Sequence, residues 1–201
     1  MAHQRLHALA TWLERVADAI AWVGKAASWL ILAILVTVMV SVVGGMLRVT
    51  RFLQWEGEVF LFGSGLTLNS VLDLQWYLFG VLLLLTGAYA LHTNTHVRVD
   101  LFYSRLSANG KRLVEMIGDC VFLLPLCIVL IDRSMPLLEL SYNTGERSNE
   151  DGLTHRWMIK MFVPIGFSLL AALAVTRVLR NGLALFGIES TPAKTEQSDR
   201  A

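Results

Sequence analysis

Charge is what this sequence has least of. Only 16% of its 201 residues are Asp, Glu, Lys or Arg, against about a quarter in an ordinary soluble domain. The formal net charge is +1, which gives no basic surplus and no reason to expect nucleic acid as a partner. Cysteine is almost missing. Cys120 and Cys127 are seven residues apart in one apolar run, so on a helix they share a side but stand two turns apart, too far to bond. They read as small apolar packing residues rather than as redox or metal chemistry. Histidine is missing where it would matter most: His3, His7, His92, His96 and His155 lie at or beyond the ends of the apolar runs. No two histidines can face each other inside a bilayer, as haem ligation by facing helices requires. His92 and His96, four apart, read as a polar helix end rather than a metal site. No Ser/His/Asp arrangement, P-loop or glycine-rich nucleotide motif is present. Neither an enzyme nor a bound cofactor is expected, and the histidine placement argues against the competing reading of a membrane-anchor subunit of a redox enzyme complex.

What is present is hydrophobic sequence, 55% of the chain. The stretch from Asp73 to Asp100 shows the pattern most cleanly. Between Asp73 and Arg98 there is no charged residue, with Trp76, Tyr77 and Phe79 at one end and His92, His96, Arg98 and Asp100 at the other. A hydrocarbon core of about 30 Å takes about 20 helical residues, and aromatics at one edge with basic groups at the other suit its two interfaces. The same reasoning places spans at about 26–47, 74–95, 113–136 and 158–179. The expected fold is an all-α integral membrane protein with four transmembrane helices, an N-terminal amphipathic lead-in and an interfacial segment between spans one and two.

The lead-in, residues 1–25, carries Leu6, Leu9, Leu13, Val16, Ile20 and Val23 at steps of three and four. This apolar stripe either lies on the membrane surface or packs ahead of the first span. A cleaved signal peptide fits poorly, because acidic residues precede a late and long apolar run. Residues 50–72 hold Arg51, Glu56 and Glu58 and then only about 14 apolar residues, short for a crossing, and are read as interfacial or re-entrant. Gly80 and Gly87 are seven apart and are expected to form a helix-packing face. The third span has only 12 uncharged residues, Cys120 to Ile131, so Asp119, Asp132 or both must enter it. Groups at that depth usually face protein or a water-filled space; end-snorkelling with local thinning of the bilayer is the alternative. Pro125 is expected to kink this helix. The segment 181–201 reads as a polar tail.

With four spans both termini share a side. Arg5, Arg15, Lys25, Arg98, Arg105, Lys111, Arg112, Arg177, Arg180, Lys194 and Arg200 fall on that side, and Arg48, Arg51, Arg133, Arg147, Arg156 and Lys160 on the other. The excess places both termini in the cytoplasm. A self-sufficient transporter is not expected: the chain is short, without an inverted repeat or matched broken spans. It reads as a subunit that packs against something larger.

A series of short motifs carries a family resemblance. Gln75-Trp76-Tyr77-Leu78-Phe79, Gly87-Ala88-Tyr89 and His96-Val97-Arg98-Val99-Asp100 form a first block. Gly145-Glu146-Arg147-Ser148, Gly152-Leu153, Arg156-Trp157-Met158-Ile159-Lys160 and Pro164-Ile165-Gly166-Phe167 form a second. In order and spacing, over about residues 30–180, these resemble the small permease subunit of tripartite ATP-independent periplasmic (TRAP) transporters, the DctQ-like family. Two departures stand out. Relatives often carry Glu ahead of Gln-Trp, where this chain has Asp73, and Pro after Gly-Leu, where it has Thr154. The resemblance implies a bacterial inner-membrane protein with a large DctM-like permease subunit, a periplasmic solute-binding protein and membrane lipid as partners. It implies sodium-driven uptake of an organic acid, with this subunit supporting the large one and holding no substrate site. The candidate partner contacts are Gln75, Trp76, Tyr77, Gly80, Gly87, Ala88, His96, Arg98 and Asp100 in the first block, Asp119 and Asp132 in the third span, and Glu146, Ser148, Arg156, Trp157 and Lys160 in the second block.

Overall fold

The computed structural model describes residues 2–93, 106–148 and 152–185. Helix α1 (Ala2–Ala27) is followed by α2 (Leu30–Met46), a two-stranded antiparallel hairpin β1 (Arg51–Val59) and β2 (Gly63–Thr67), and α3 (Leu68–His92). Then come α4 (Ala108–Gly118), a π-helical turn (Asp119–Leu123), α5 (Leu124–Asn143) and α6 (Trp157–Leu185). Four helical stretches are long and apolar enough to cross a membrane: Ala8–Met46, Leu68–His92, Asn109–Asn143 and Trp157–Leu185. The four-span helical architecture expected from the sequence is the one the chain adopts.

Three local features differ from the sequence reading, each for a physical reason. Residues 50–72 contain a hairpin and the first turns of α3. Gly57 and Gly63 take left-handed backbone angles (φ +104° and +60°), which non-glycine residues adopt only at a cost. Gly65 lies so close to β1 that a Cβ there would sit 2.8 Å from the Leu53 carbonyl oxygen. Helix α3 starts at Leu68 because Thr67 and Ser70 form a capping box: the Thr67 hydroxyl accepts from the Ser70 N–H at 3.0 Å, and the Ser70 hydroxyl accepts from the Thr67 N–H at 3.4 Å. Pro125 falls just after the π turn. A proline has no N–H for the carbonyl four residues back and its ring collides with it, and the turn widens the helix there: the Leu124 N–H reaches the Asp119 carbonyl five residues back.

The helices do not form a square bundle. Both α1 and α2 pack on α3, α3 packs on α6, and α6 packs on α4 and α5; α1 also touches α6. The spatial order of the spans is one, two, four, three. The first and third spans form the two edges. Between α1 and α2, a turn at Ser28 and Trp29 is held by three-residue hydrogen bonds, such as Trp29 N–H to the Ala26 carbonyl at 3.2 Å. The two helices therefore continue one another along α3.

Small residues hold the row together and large ones cover it. On α1 the buried positions are Ala10, Leu13, Ala17, Ile20, Ala21 and Ala27, whereas Leu9, Trp12, Trp22 and Val23 are exposed. The expected stripe is thus turned toward its alanines. Ala17 and Ile20 meet Ala88 and Leu91 of α3 and Leu173 and Ala174 of α6 in one cluster. Hydrocarbon surroundings explain the inversion: lipid is as apolar as leucine, so helices gain by close backbone approach at small residues. Two glycines show it directly. A Cβ on Gly24 would stand 2.5 Å from the Tyr89 Cβ and 2.9 Å from the Leu85 carbonyl oxygen; one on Gly166 would stand 2.8 Å from the Leu84 Cβ. Within the chain the Gly80/Gly87 face makes little contact among the described residues. Gly80 approaches only Ile159, and Gly87 has open space within 4 Å. Gly24→Leu and Gly166→Leu should each destabilise the chain by about 1–3 kcal/mol through overpacking, and Gly87→Leu should not. Thermal unfolding of the three variants in detergent measures the difference.

Candidate functional site

The second motif block folds onto the hairpin and the start of α3. The Leu153 N–H donates to the Asp73 carboxylate at 3.1 Å, and Leu153 itself is fully buried. Gly152 packs so tightly against this carboxylate and the Ser148 hydroxyl that any Cβ would collide with both. Thr154 donates twice to the hairpin turn, from its hydroxyl to the Phe60 carbonyl (2.6 Å) and from its N–H to the Leu61 carbonyl (3.0 Å). Proline at this position could make neither bond. His155 takes a left-handed backbone angle, φ 59°, a strained conformation for a non-glycine residue. Its ring stacks on Phe60 with centroids 4.3 Å apart. Arg147 reaches Glu58 on β1 at 3.4 Å; both are largely exposed, so this pair adds little.

Glu146 is the charged hub of the loop. Its carboxylate accepts a short hydrogen bond from the Lys160 ammonium and lies 3.7 Å from Arg156, and its carbonyl accepts from the Arg156 N–H at 3.1 Å. The Lys160 hydrogen bond, more than the charge of Arg156, holds the Glu146 carboxyl below the usual carboxylate range. Tyr142 and Trp157 meet edge to face at 5.5 Å, joining the end of α5 to the start of α6. A polar cleft of about 190 Å³ runs between the hairpin and this loop, bordered by Arg51, Glu58, Arg147 and Ser148.

The candidates from the sequence thus separate into groups. Glu146, Ser148, Arg156, Trp157 and Lys160 are brought together, and their polar groups or rings are engaged within the chain. Ser148 takes part through its N–H, which donates to the Leu153 carbonyl at 3.1 Å. On α3, Gln75 and Tyr77 are half-buried, and the Tyr77 hydroxyl is buried with no hydrogen-bond partner among the described residues. Trp76 is exposed and meets Phe79 edge to face at 6.5 Å. Ala88 is fully buried in the cluster with α1 and α6. His96, Arg98 and Asp100 lie outside the described residues.

Asp119 is not available to another protein. It is 4% exposed and its two oxygens accept from Arg177 of α6, at 2.6 Å from Nε and 3.0 Å from Nη2. Removing one member of such a buried pair typically costs about 3–5 kcal/mol. One turn further along, the Asn181 amide donates to Glu115 at 3.3 Å. Arg177, near the end of the fourth span, is the partner of this aspartate. Asp132 is the opposite case: it is exposed and its nearest charge is its neighbour Arg133, at 3.6 Å. His92 stands 3.4 Å from Asp18 of α1, a polar contact at a helix end, and no three potential metal ligands converge among the described residues.

Sequence reasoning missed the roles of Asp73 and Arg177. Asp73 left a trace, as an acid beside Gln75-Trp76 where relatives carry another. Arg177 left only its position, one charge at the end of an apolar run.

These features define a multi-pass helical membrane protein whose most distinctive sequence is spent on tying one end of a helix row. The sequence matches the family described as tripartite ATP-independent periplasmic transporters, DctQ component, over residues 60–182. The matched region covers both motif blocks, and the chain belongs to this family: it is a DctQ-like small subunit of a TRAP transporter, a transporter component. Such a subunit works with the other components of a tripartite system. Comparison with curated proteins and with solved structures gives no match.

Two outcomes follow for the loop. Asp73→Ala should leave the buried Leu153 N–H unsatisfied and cost about 1–3 kcal/mol, whereas Asp73→Asn keeps an acceptor and should recover much of it; thermal unfolding in detergent compares them. For Glu146 the folded-state pKa is lowered, so its contribution to stability is present at neutral pH. It fades as pH falls through that depressed value. Unfolding measured against pH should show this acid-side loss in the wild type and a weaker one in Glu146→Gln.

Proposed function

We propose that this chain braces a large permease subunit that carries an organic acid inward, driven by a sodium gradient and supplied by a periplasmic binding protein. The observation that carries the reading is the closed centre of the helix row. Gly24 lies against Tyr89 and Leu85, Gly166 against Leu84, and Ala88 and Ala174 are fully buried. Helices this close leave no solute path between them, so a transport function must be exercised through another subunit.

The surroundings support the same assignment. The exterior is dominated by large apolar side chains, among them Leu35, Val36, Phe122 and Ile128, as contact with lipid and membrane protein requires. The excess of Lys and Arg near the termini favours a cytoplasmic location for both ends in the bacterial inner membrane. In that orientation the hairpin and the Glu146 loop face the periplasm, where a soluble binding protein docks.

Deletion of the gene followed by complementation tests the proposal in cells. Uptake of the transported acid should be lost on deletion, return with the wild-type chain, and disappear when sodium is replaced by choline. Uptake that survives deletion, or that ignores sodium, contradicts it.

A further inference from the structure

The third span is an edge helix with polar groups at the wrong depth for lipid. It packs on α6 alone among the spanning helices it meets extensively. Its buried stripe is Cys127, Ser134 and Ser141. The opposite side is open, and Asp132 and Arg133 stand on it with side chains 73% and 81% exposed.

Their depth can be read from the ends of the helices. The Tyr142–Trp157 ring pair joins α5 to α6 at one end, where aromatics mark a bilayer interface. The Asp119–Arg177 pair joins the π turn ahead of α5 to α6 near the other. Asp132 lies ten residues from Tyr142 and thirteen from Asp119, about 15 Å and about 20 Å along the helix. With the span bounded by those two pairs, Asp132 lies inside the hydrocarbon core rather than at its edge. An arginine stem reaches only a little more than one helical turn, about 6 Å, so Arg133 does not reach water by snorkelling.

A third polar group belongs to the same spot. Pro136 lies within α5, four residues after Asp132, and has no N–H to give the Asp132 carbonyl. One carboxylate and one guanidinium, paired with each other at 3.6 Å, and one backbone carbonyl without its helical donor therefore share the open side of one turn. Lipid tails offer them nothing, and freed backbone groups at this depth are tolerated when protein or water satisfies them.

We propose that this open side of α5, centred on Asp132 and Arg133 and bordered by Phe122, Val129 and Leu140, is the docking face for a transmembrane helix of the large permease subunit. That helix would present a hydrogen-bonding or charged side chain at mid-membrane depth. The inference rests on the small-subunit reading above and goes further by assigning the surface. The depth selects the occupant: a soluble periplasmic component cannot reach the middle of the bilayer, and a second membrane component can. The opposite edge, α2, exposes Leu35, Val36 and Met39 without a charge among them and needs no such cover.

Photo-crosslinking in the native membrane tests the face. Benzoylphenylalanine replaces Val129 in one chain and Val36 in another, and adducts are identified by mass spectrometry. The expected result is an adduct with the large TRAP permease from position 129, at least fivefold more than from position 36. Adding Arg133→Leu should reduce it at least fivefold while the chain's abundance in the membrane is unchanged. An adduct of position 129 with a second copy of this chain, or with lipid alone, overturns the proposal. So does a position-129 adduct indifferent to Arg133→Leu. If Arg133→Leu lowers the chain's abundance, the comparison of positions 129 and 36 in the otherwise unaltered chain decides. If the large permease cross-links only from position 36, the face is wrong but the subunit reading stands. If it neither cross-links from any position nor co-purifies with the wild-type chain, both fail.

Discussion

Close approach of helix backbones at small residues is the constraint on which the rest of this molecule depends. In water, burial of leucine and valine would drive the helices together. In hydrocarbon that drive is absent, and packing contacts with interhelical hydrogen bonds take its place. Gly24 against Tyr89, Gly166 against Leu84, and Ala17 and Ala174 around Ala88 bring α1, α3 and α6 into contact. Once those three helices touch, the order of the spans is set and the third span is left on an edge.

Polar groups then follow a simple division. Those near the ends of the helices are satisfied inside the chain: Asp119 by Arg177, Asp73 by the Leu153 N–H, Glu146 by Lys160. These ties join the ends of the helices to one another and to the loop. On the third span Asp132 and Arg133 pair with each other, but on an exposed face. A chain that ties Asp119, Asp73 and Glu146 into its own fold and leaves an ion pair exposed on one edge is shaped for assembly. Family membership in a tripartite system supplies the context in which that assembly occurs.

Much of this was legible in the sequence, because the strongest signals are long and local. Uncharged runs bounded by aromatics or charges mark the spans regardless of how the helices meet. The two motif blocks were also readable as a family pattern. Their internal purpose was not. Glu146, Arg156 and Lys160 read as outward contacts, yet a carboxylate 80 residues away in sequence, Asp73, reaches the same loop only once α3 and α6 are neighbours. Gly80 and Gly87 illustrate a related point. Spacing of seven shows that two glycines share a face, but which face meets a helix depends on tertiary placement, and Gly24 and Gly166 carry that contact. The hairpin at Arg51–Thr67 was hidden because its register is irregular. Its positive-φ glycines, Gly57 and Gly63, were the available signal.

The central claim is that this chain is one part of a larger membrane assembly. Native mass spectrometry of the complex extracted through a tag on this chain measures it directly. The account predicts a species heavier than the 22.4 kDa chain by the mass of one large TRAP permease. Recovery of the chain only at 22.4 kDa, or at multiples of that mass, would contradict it.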